Sequence, residues 1–219
     1  MTATGVLPEA TAEAVADRPQ GHSHQEQRVV DAALRCIARW GVAKTTLDDV
    51  AREAGWSRAT VYRLFPGGKD AVLETVAEVE LERFFSALDE RLSAASDLED
   101  LLVGGMSEAG ARITGHPALQ FLVIHEPELI LPQISFDRAE RVLARAASFA
   151  APYLTRWLVP EEANRVGEWV TRIVISYAAS PSATVDVADT ESVRRLVRSF
   201  VLPGIRASVD TQSRVRPVS

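Results

Sequence analysis

The chain has 219 residues, 47% of them hydrophobic and 25% charged, with mean hydropathy near zero and a formal net charge of −6. These values suit one or two globular helical domains and argue against a spanning membrane protein, because no stretch approaches the roughly 18 consecutive apolar residues a span needs. One cysteine excludes an internal disulfide, and Cys36, among Leu34, Ile37 and Trp40, has the setting of a space-filling thiol.

Residues 1–24 are rich in Ala, Pro, Thr, Gly and acids without sustained periodicity, which predicts a disordered arm. The arm lacks the basic start and apolar run of a secretory signal, so the expected location is cytoplasmic. His22 and His24 on such an arm make no metal site. From Gln25 to Trp40, Val30, Ala33, Leu34 and Ile37 form a helical stripe that Gly41 ends.

Leu47, Val50, Ala51 and Ala54 recur at i, i+3, i+4, i+7 and share one face of a short helix stopped by Gly55. Thr45 or Thr46 can cap its start, with Asp48 and Asp49 complementing the positive helix end. Ser57 can cap a second helix, on which Val61 and Leu64 pack back while Arg58, Ala59, Thr60, Tyr62 and Arg63 face outward. Ala51, Gly55 and Val61 are the small, turning and apolar positions that let two helices cross closely as a helix-turn-helix. A hairpin buried in a helical core has no need for a helix exposing Ser, Arg, Thr, Tyr and Arg in its first two turns.

Pro66, Gly67 and Gly68 end that helix, and Lys69 opens the next where its ammonium can reach a phosphate. The acidic net charge argues on its face against nucleic acid, but the charge is partitioned. Between His22 and Lys69 stand eight basic residues (Arg28, Arg35, Arg39, Lys44, Arg52, Arg58, Arg63, Lys69) against five acids (Glu26, Asp31, Asp48, Asp49, Glu53), or +3. The remainder therefore carries −9, and only the basic head need meet phosphates.

The stretch TTLDDVAREAGWSRATVYRLFPGGKDAVLE, within about Val29 to Val76, resembles the DNA-binding domain of the TetR family of bacterial transcriptional regulators. Pro66-Gly67-Gly68-Lys69 is a residue longer than that family's usual Pro-x-Lys spacing. The resemblance implies an all-α protein of about nine helices: a three-helix DNA-binding domain over 25–70, an effector-binding and dimerisation domain over 71–208, and a flexible tail over 209–219. Arg58 and Thr60, near the start of the reading helix, are the candidates for base contact. Thr46, Tyr62, Arg63 and Lys69 are the candidates for phosphate, with Ser57 and Ala59 on the same surface.

Lys69 to about Ser93 reads as a long helix carrying Val72, Val76, Val79, Phe84, Leu88 and Leu92; by the resemblance it is the helix whose tilt changes when ligand binds. Asp97 to Thr114 reads as a helix interrupted by Gly104-Gly105, either a close helix contact or room for a ligand. Gly115-His116-Pro117 breaks the chain before ALQFLVIHE, Glu126-Pro127 and Leu131-Pro132 bracket another break, and a helix follows to about Leu154. Two strongly amphipathic segments close the chain. Val166, Trp169, Val170, Ile173, Val174 and Tyr177 mark the first; Val193, Leu196, Val197, Phe200 and Val201 mark the second, which Pro203-Gly204 is expected to end.

The resemblance assigns these last two helices to a homodimer that would place two reading helices on one face of a palindromic duplex, and it puts the effector among the helices after Lys69. Phe84, Met106, Phe121, Phe136 and Trp169 are the candidate apolar lining and His125 and Tyr177 the candidate polar contacts, which suits a small apolar effector. No phosphate-cradling loop, nucleophile elbow or metal-ligand spacing is present, so the expectation is no enzyme, no cofactor and no metal. The rival readings are a small-molecule-binding helical protein and an architectural DNA-binding protein without effector control.

Overall fold

The computed structural model describes residues 22–130 and 136–215, and every regular element among them is helical. In order these are α1 (His24–Lys44), α2 (Leu47–Ala54), α3 (Arg58–Leu64), α4 (Lys69–Ser93), α5 (Leu98–Thr114), α6 (Pro117–His125), α7 (Pro127–Ile130), α8 (Phe136–Leu154), α9 (Pro160–Ala179) and α10 (Thr190–Leu196). A π-helical turn (Val197–Val201) then leads into α11 (Leu202–Val215). The arm expected over 1–24 lies outside the described residues as far as residue 21. At Ser23 the chain is already a helix cap: the Ser23 hydroxyl accepts from Glu26 N at 3.2 Å while the Glu26 carboxylate accepts from Ser23 N at 2.7 Å.

The described residues fall into two compact units, 22–83 with 116–130, and 84–115 with 136–215. The first is built on Val29, Val30, Ala33 and Cys36 of α1, Leu47, Val50, Ala51 and Ala54 of α2, Val61 of α3, and Val72, Val76 and Val79 of α4. Cys36 has no exposed surface, and burial pushes its thiol up, which suits filler rather than a reactive group. α1 bends at Gly41, whose φ of +81° only glycine adopts without strain. Space forbids a side chain as well, since a Cβ there would stand 2.7 Å from the Glu126 carboxyl carbon and 2.9 Å from Phe121 Cε1.

α6 is tied into this unit at its start. His116 Nδ1 accepts from Leu119 N at 3.1 Å as the helix cap, so Nε2 carries the hydrogen and donates to Glu80 of α4 at 2.8 Å. Arg83 extends the network, donating to Glu80 at 2.8 Å and to Asp31 of α1 at 2.9 Å. The His116 bond, with Arg83 beside it, holds the Glu80 carboxyl below the usual carboxylate range.

In the second unit Leu101, Leu102, Val103 and Met106 of α5 pack with Leu154, Ala163, Val166, Val174, Val193, Val197, Val201 and Ile205. Gly104-Gly105 proves to be a close contact: a Cβ on Gly104 would run into the Arg91 guanidinium, and one on Gly105 would stand 2.7 Å from Leu92 Cδ2. Arg91 is itself fixed there by the Asp100 carboxylate at 2.5 Å. α8 and α9 form a helical hairpin that closes where Gly167 meets the Ala147 backbone. The Glu162 carboxylate, 2% exposed, is met by Arg165 at 3.1 Å and by the Ser208 hydroxyl, which fastens α11 to the first turn of α9.

One sequence expectation is corrected. Pro203-Gly204 does not end the last helix, and residues 209–215, expected as part of a flexible tail, are helical. The preceding π turn shifts the hydrogen-bonding register, so that Pro203 falls in the first turn of α11, where its missing N–H leaves no gap in the ladder.

Candidate nucleic-acid interface

α2 and α3 are fixed at each of their ends. Thr46 caps α2, accepting from Asp49 N at 3.2 Å while Asp49 accepts from Thr46 N at 3.2 Å and from its hydroxyl at 2.5 Å. Those bonds hold the Asp49 carboxyl below its ordinary value. Gly55, at φ +73°, closes α2 by donating to the Ala51 and Arg52 carbonyls, and Trp56 N returns to Ala51 O at 2.9 Å. Two residues later Ser57 caps α3, accepting from Thr60 N at 3.2 Å, with the two hydroxyls 2.9 Å apart.

This geometry settles which face of α3 is offered. Val61, with no exposed surface, anchors the helix to the core, and Phe65 closes the same side. Ser57, Arg58, Ala59, Tyr62 and Arg63 are exposed and Thr60 is half-buried, so six of the predicted contacts share a single outward surface. Thr46 is exposed one element earlier.

Arg58 is not idle in the free protein. Its guanidinium donates to Asp48 Oδ2 at 3.0 Å and to the Tyr62 hydroxyl at 3.2 Å, and lies 5.2 Å from the Tyr62 ring centre. The Tyr62 bond, then Asp48, raises its pKa further and keeps it cationic. Lys69, half-buried, donates to Val42 O at 2.6 Å, which leaves two of its three N–H bonds for another acceptor.

Other cations of the head are spent on bracing. Arg28 donates to Ala54 O at 3.0 Å, satisfying an end carbonyl of α2, and lies 5.3 Å over Trp56. Arg35 and Arg39 converge on Glu53 at 2.6 and 3.2 Å, pinning α1 to α2 and holding the Glu53 carboxyl low, chiefly through Arg35. None of these partnerships was legible in the sequence, where the basic residues of the head could only be counted together.

The predicted effector residues divide between the units. Phe121 and His125 belong to the first, their rings 4.4 Å apart with His125 exposed. In the second, Met106 is buried in the core, Tyr177 is half-buried against it and Trp169 is 42% exposed. Phe136 opens α8, and its side chain lies outside the described residues. Phe84 instead heads an aromatic ladder that sequence reading missed: Phe84, Phe85, Phe149 and Tyr153 follow one another at 5.5, 4.6 and 5.6 Å, with Arg145 over Phe85 at 5.3 Å. An open groove of about 350 Å³ in the same unit is lined by Asp97, Leu98, Glu99, Trp157, Leu202, Ile205 and Arg206, none of them predicted. Among the described residues no helix is long and apolar enough to cross a membrane, and no cluster of His, Cys, Asp or Glu is grouped to hold a metal.

Comparison with known proteins agrees with this geometry at both scales. Residues 29–76 match the family model described as bacterial regulatory proteins, tetR family. The HTH-type transcriptional regulator SrpR of Pseudomonas putida is 48% identical over 50 residues, 23% of this chain and 23% of SrpR, so the likeness there spans about a quarter of either protein. Over most of its length the chain shares the fold of two solved structures. The TetR family repressor AlkX of Dietzia, implicated in biodegradation of n-alkanes, has a TM-score of 0.57 at 22% identity, covering 82% of this chain and 97% of that one. The regulator FadR of Bacillus subtilis in complex with stearoyl-CoA has a TM-score of 0.53 at 19% identity, covering 79% and 97%. The helix-turn-helix of this chain, residues 29–76, is thus matched in sequence by the tetR family of bacterial regulatory proteins, and its helical body is matched in fold by two solved regulators.

Proposed function

We propose that this regulator is a repressor that binds a palindromic operator as a homodimer and is released by a small apolar effector. The observation that carries the DNA half is the outward face of α3: Arg58, Ala59, Tyr62 and Arg63 exposed on a helix whose opposite side is locked by the fully buried Val61. A helix of this kind lies in the major groove, where an arginine near its start bonds a guanine edge bidentately. Thr46, Tyr62, Arg63 and Lys69 are assigned to phosphates.

The dimer is supported by large apolar side chains left on the last helices, Trp169 at 42% and Phe200 at 67% exposure, a kind of surface that water does not favour and a second copy would cover. An apolar effector is supported by the half-buried aromatic ladder of α4 and α8 and by the chemistry of the two structural relatives, one bound to an acyl thioester and one implicated in n-alkane degradation. Release requires that the effector bind the DNA-free conformation more tightly than the DNA-bound one.

The test is binding to the DNA upstream of the protein's own gene, followed by gel shift over a salt series and then by addition of acyl and aromatic compounds to the preformed complex. A steep loss of affinity with salt and release by at least one compound are expected. Salt-independent or absent binding would remove the regulator reading of α3, and a complex indifferent to every compound would remove the effector.

A further inference from the structure

The residue between the bend of α1 and the cap of α2 is held from both sides by opposite charges. Val42 N donates to Glu126 Oε2 at 2.8 Å and Ala43 N to Glu126 Oε1 at 3.1 Å, while Val42 O accepts from Lys69 Nζ at 2.6 Å. Glu126 is only 8% exposed and stands at the end of α6, 84 positions further along the chain than the amide it holds. Gly41, where the backbone turns at φ +81°, gives the carboxylate room that any Cβ would close. A buried carboxylate needs such donors, and the two amides, freed by the bend from helical bonding, need such an acceptor.

We propose that Glu126 is a positioning residue for DNA reading: its grip on Val42 and Ala43 sets the bend at Gly41 and so places Thr46 and α2 for their contact with the duplex. Only Lys44 and Thr45 separate Ala43 from the capping box of Thr46 and Asp49, so a shift at the amides is carried straight to that cap. The inference rests on the DNA-reading assignment of α2 and α3. Its sign separates it from a plain charge effect. A carboxylate near phosphates repels them, so if Glu126 acted by charge alone its removal would tighten binding. As a positioning group, its removal weakens binding.

The experiment compares full-length wild type with Glu126→Gln, which keeps one acceptor and turns the other into a donor facing an amide. Glu126→Asp keeps the charge but falls a methylene short of both amides. Glu128→Gln, at an exposed position of α7, controls for net charge. Each is titrated by fluorescence anisotropy against a duplex that wild type selects from a randomised pool, and amide hydrogen exchange is followed at Val42 and Ala43. Loss of about tenfold in affinity for both Glu126 variants is expected, the scale of one charge-assisted hydrogen bond, with faster exchange at the two amides and no change for Glu128→Gln. Unchanged or tighter binding by Glu126→Gln overturns the proposal. If the variants do not fold, wild type alone decides: exchange at Val42 and Ala43 that slows when duplex is added supports the role, and exchange indifferent to duplex overturns it. Failure of wild type to select any duplex would instead overturn the DNA-reading assignment itself.

Discussion

Arg58, proposed above to read a base, is paired with Asp48 at 3.0 Å across the helix-turn-helix. Both members are exposed, so water screens the pair and it is weak, and a base that recruits the guanidinium would have to displace it. Asp48→Ala is therefore expected to tighten operator binding by up to about fivefold, by freeing Arg58 and removing a carboxylate from the phosphate-facing surface. Arg58→Ala is expected to weaken it by about 1 to 3 kcal/mol and to relax the preference at one base position. Anisotropy titrations on the selected duplex and on single-base variants measure both, and equal losses for Arg58→Ala on selected and random DNA would show that it holds phosphate instead.

Lys69 differs from Arg58 in kind. Its ammonium bonds Val42 O and retains two N–H bonds for a phosphate, a contact without sequence information. Lys69→Ala is expected to weaken binding to all duplexes alike and to lower the slope of log affinity against log salt by about one. An unchanged slope would confine Lys69 to its strut on Val42.

Two glycines of α5 face very different neighbours. At Gly110 a Cβ would strike the Val187 backbone carbonyl, which cannot swing aside, so Gly110→Ala is expected to cost about 1 to 3 kcal/mol. At Gly104 the obstacle is the Arg91 guanidinium, the far end of a flexible side chain. There the gain of about 1 kcal/mol in helix propensity offsets much of the lost Arg91–Asp100 pair, and Gly104→Ala is expected to be near neutral. Urea unfolding of the two variants checks the contrast, and similar losses would contradict it.

Two groups set opposite pH limits. Burial, with the Asp89 carboxylate accepting the Tyr153 hydroxyl proton, pushes Tyr153 up to about 12. Because the folded value exceeds the ordinary tyrosine value of 10.0, the contribution of Tyr153 is intact below pH 10 and is lost as pH rises toward about 12. Ultraviolet titration of phenolate should show one of the three tyrosines ionising late, and Tyr153→Phe should remove that phase. Glu80 runs the other way. Its folded value lies below 4.5, so its bonds to His116 and Arg83 stabilise the fold above that pH and are lost on further acidification. Glu80→Gln should flatten the acid limb of a stability profile.

The helix-turn-helix was legible because its specification is local. Ala51, Gly55 and Val61 sit at fixed short spacings, Thr46 and Ser57 lie directly before the helices they cap, and α2 stops at Gly55, where the chain takes a left-handed turn. The roles of Glu126 and His116 were hidden for the opposite reason: their partners Val42 and Glu80 lie 84 and 36 positions away, and nothing in Glu-Pro or His-Pro announces them. Aromatic residues at helical spacing could not be sorted by periodicity alone. Met106 entered the core, Trp169 reached the surface, and Phe84 met Phe85, whose own partner Phe149 lies on α8 where no pattern within α4 reveals it. The course of α11 past Pro203 was missed because one turn of altered register precedes it.

That turn has an evolutionary corollary. Val197–Val201 holds one residue more than an α-helix would use over the same rise, and Phe200 stands out of it into solvent. Deleting a single codon there would restore ordinary winding and swing everything downstream by about 100° around the helix axis. The side chains of Leu202 to Ser208 would then point in new directions, with the helix itself left intact. Lineages carrying or lacking that codon would therefore present different faces of this last helix.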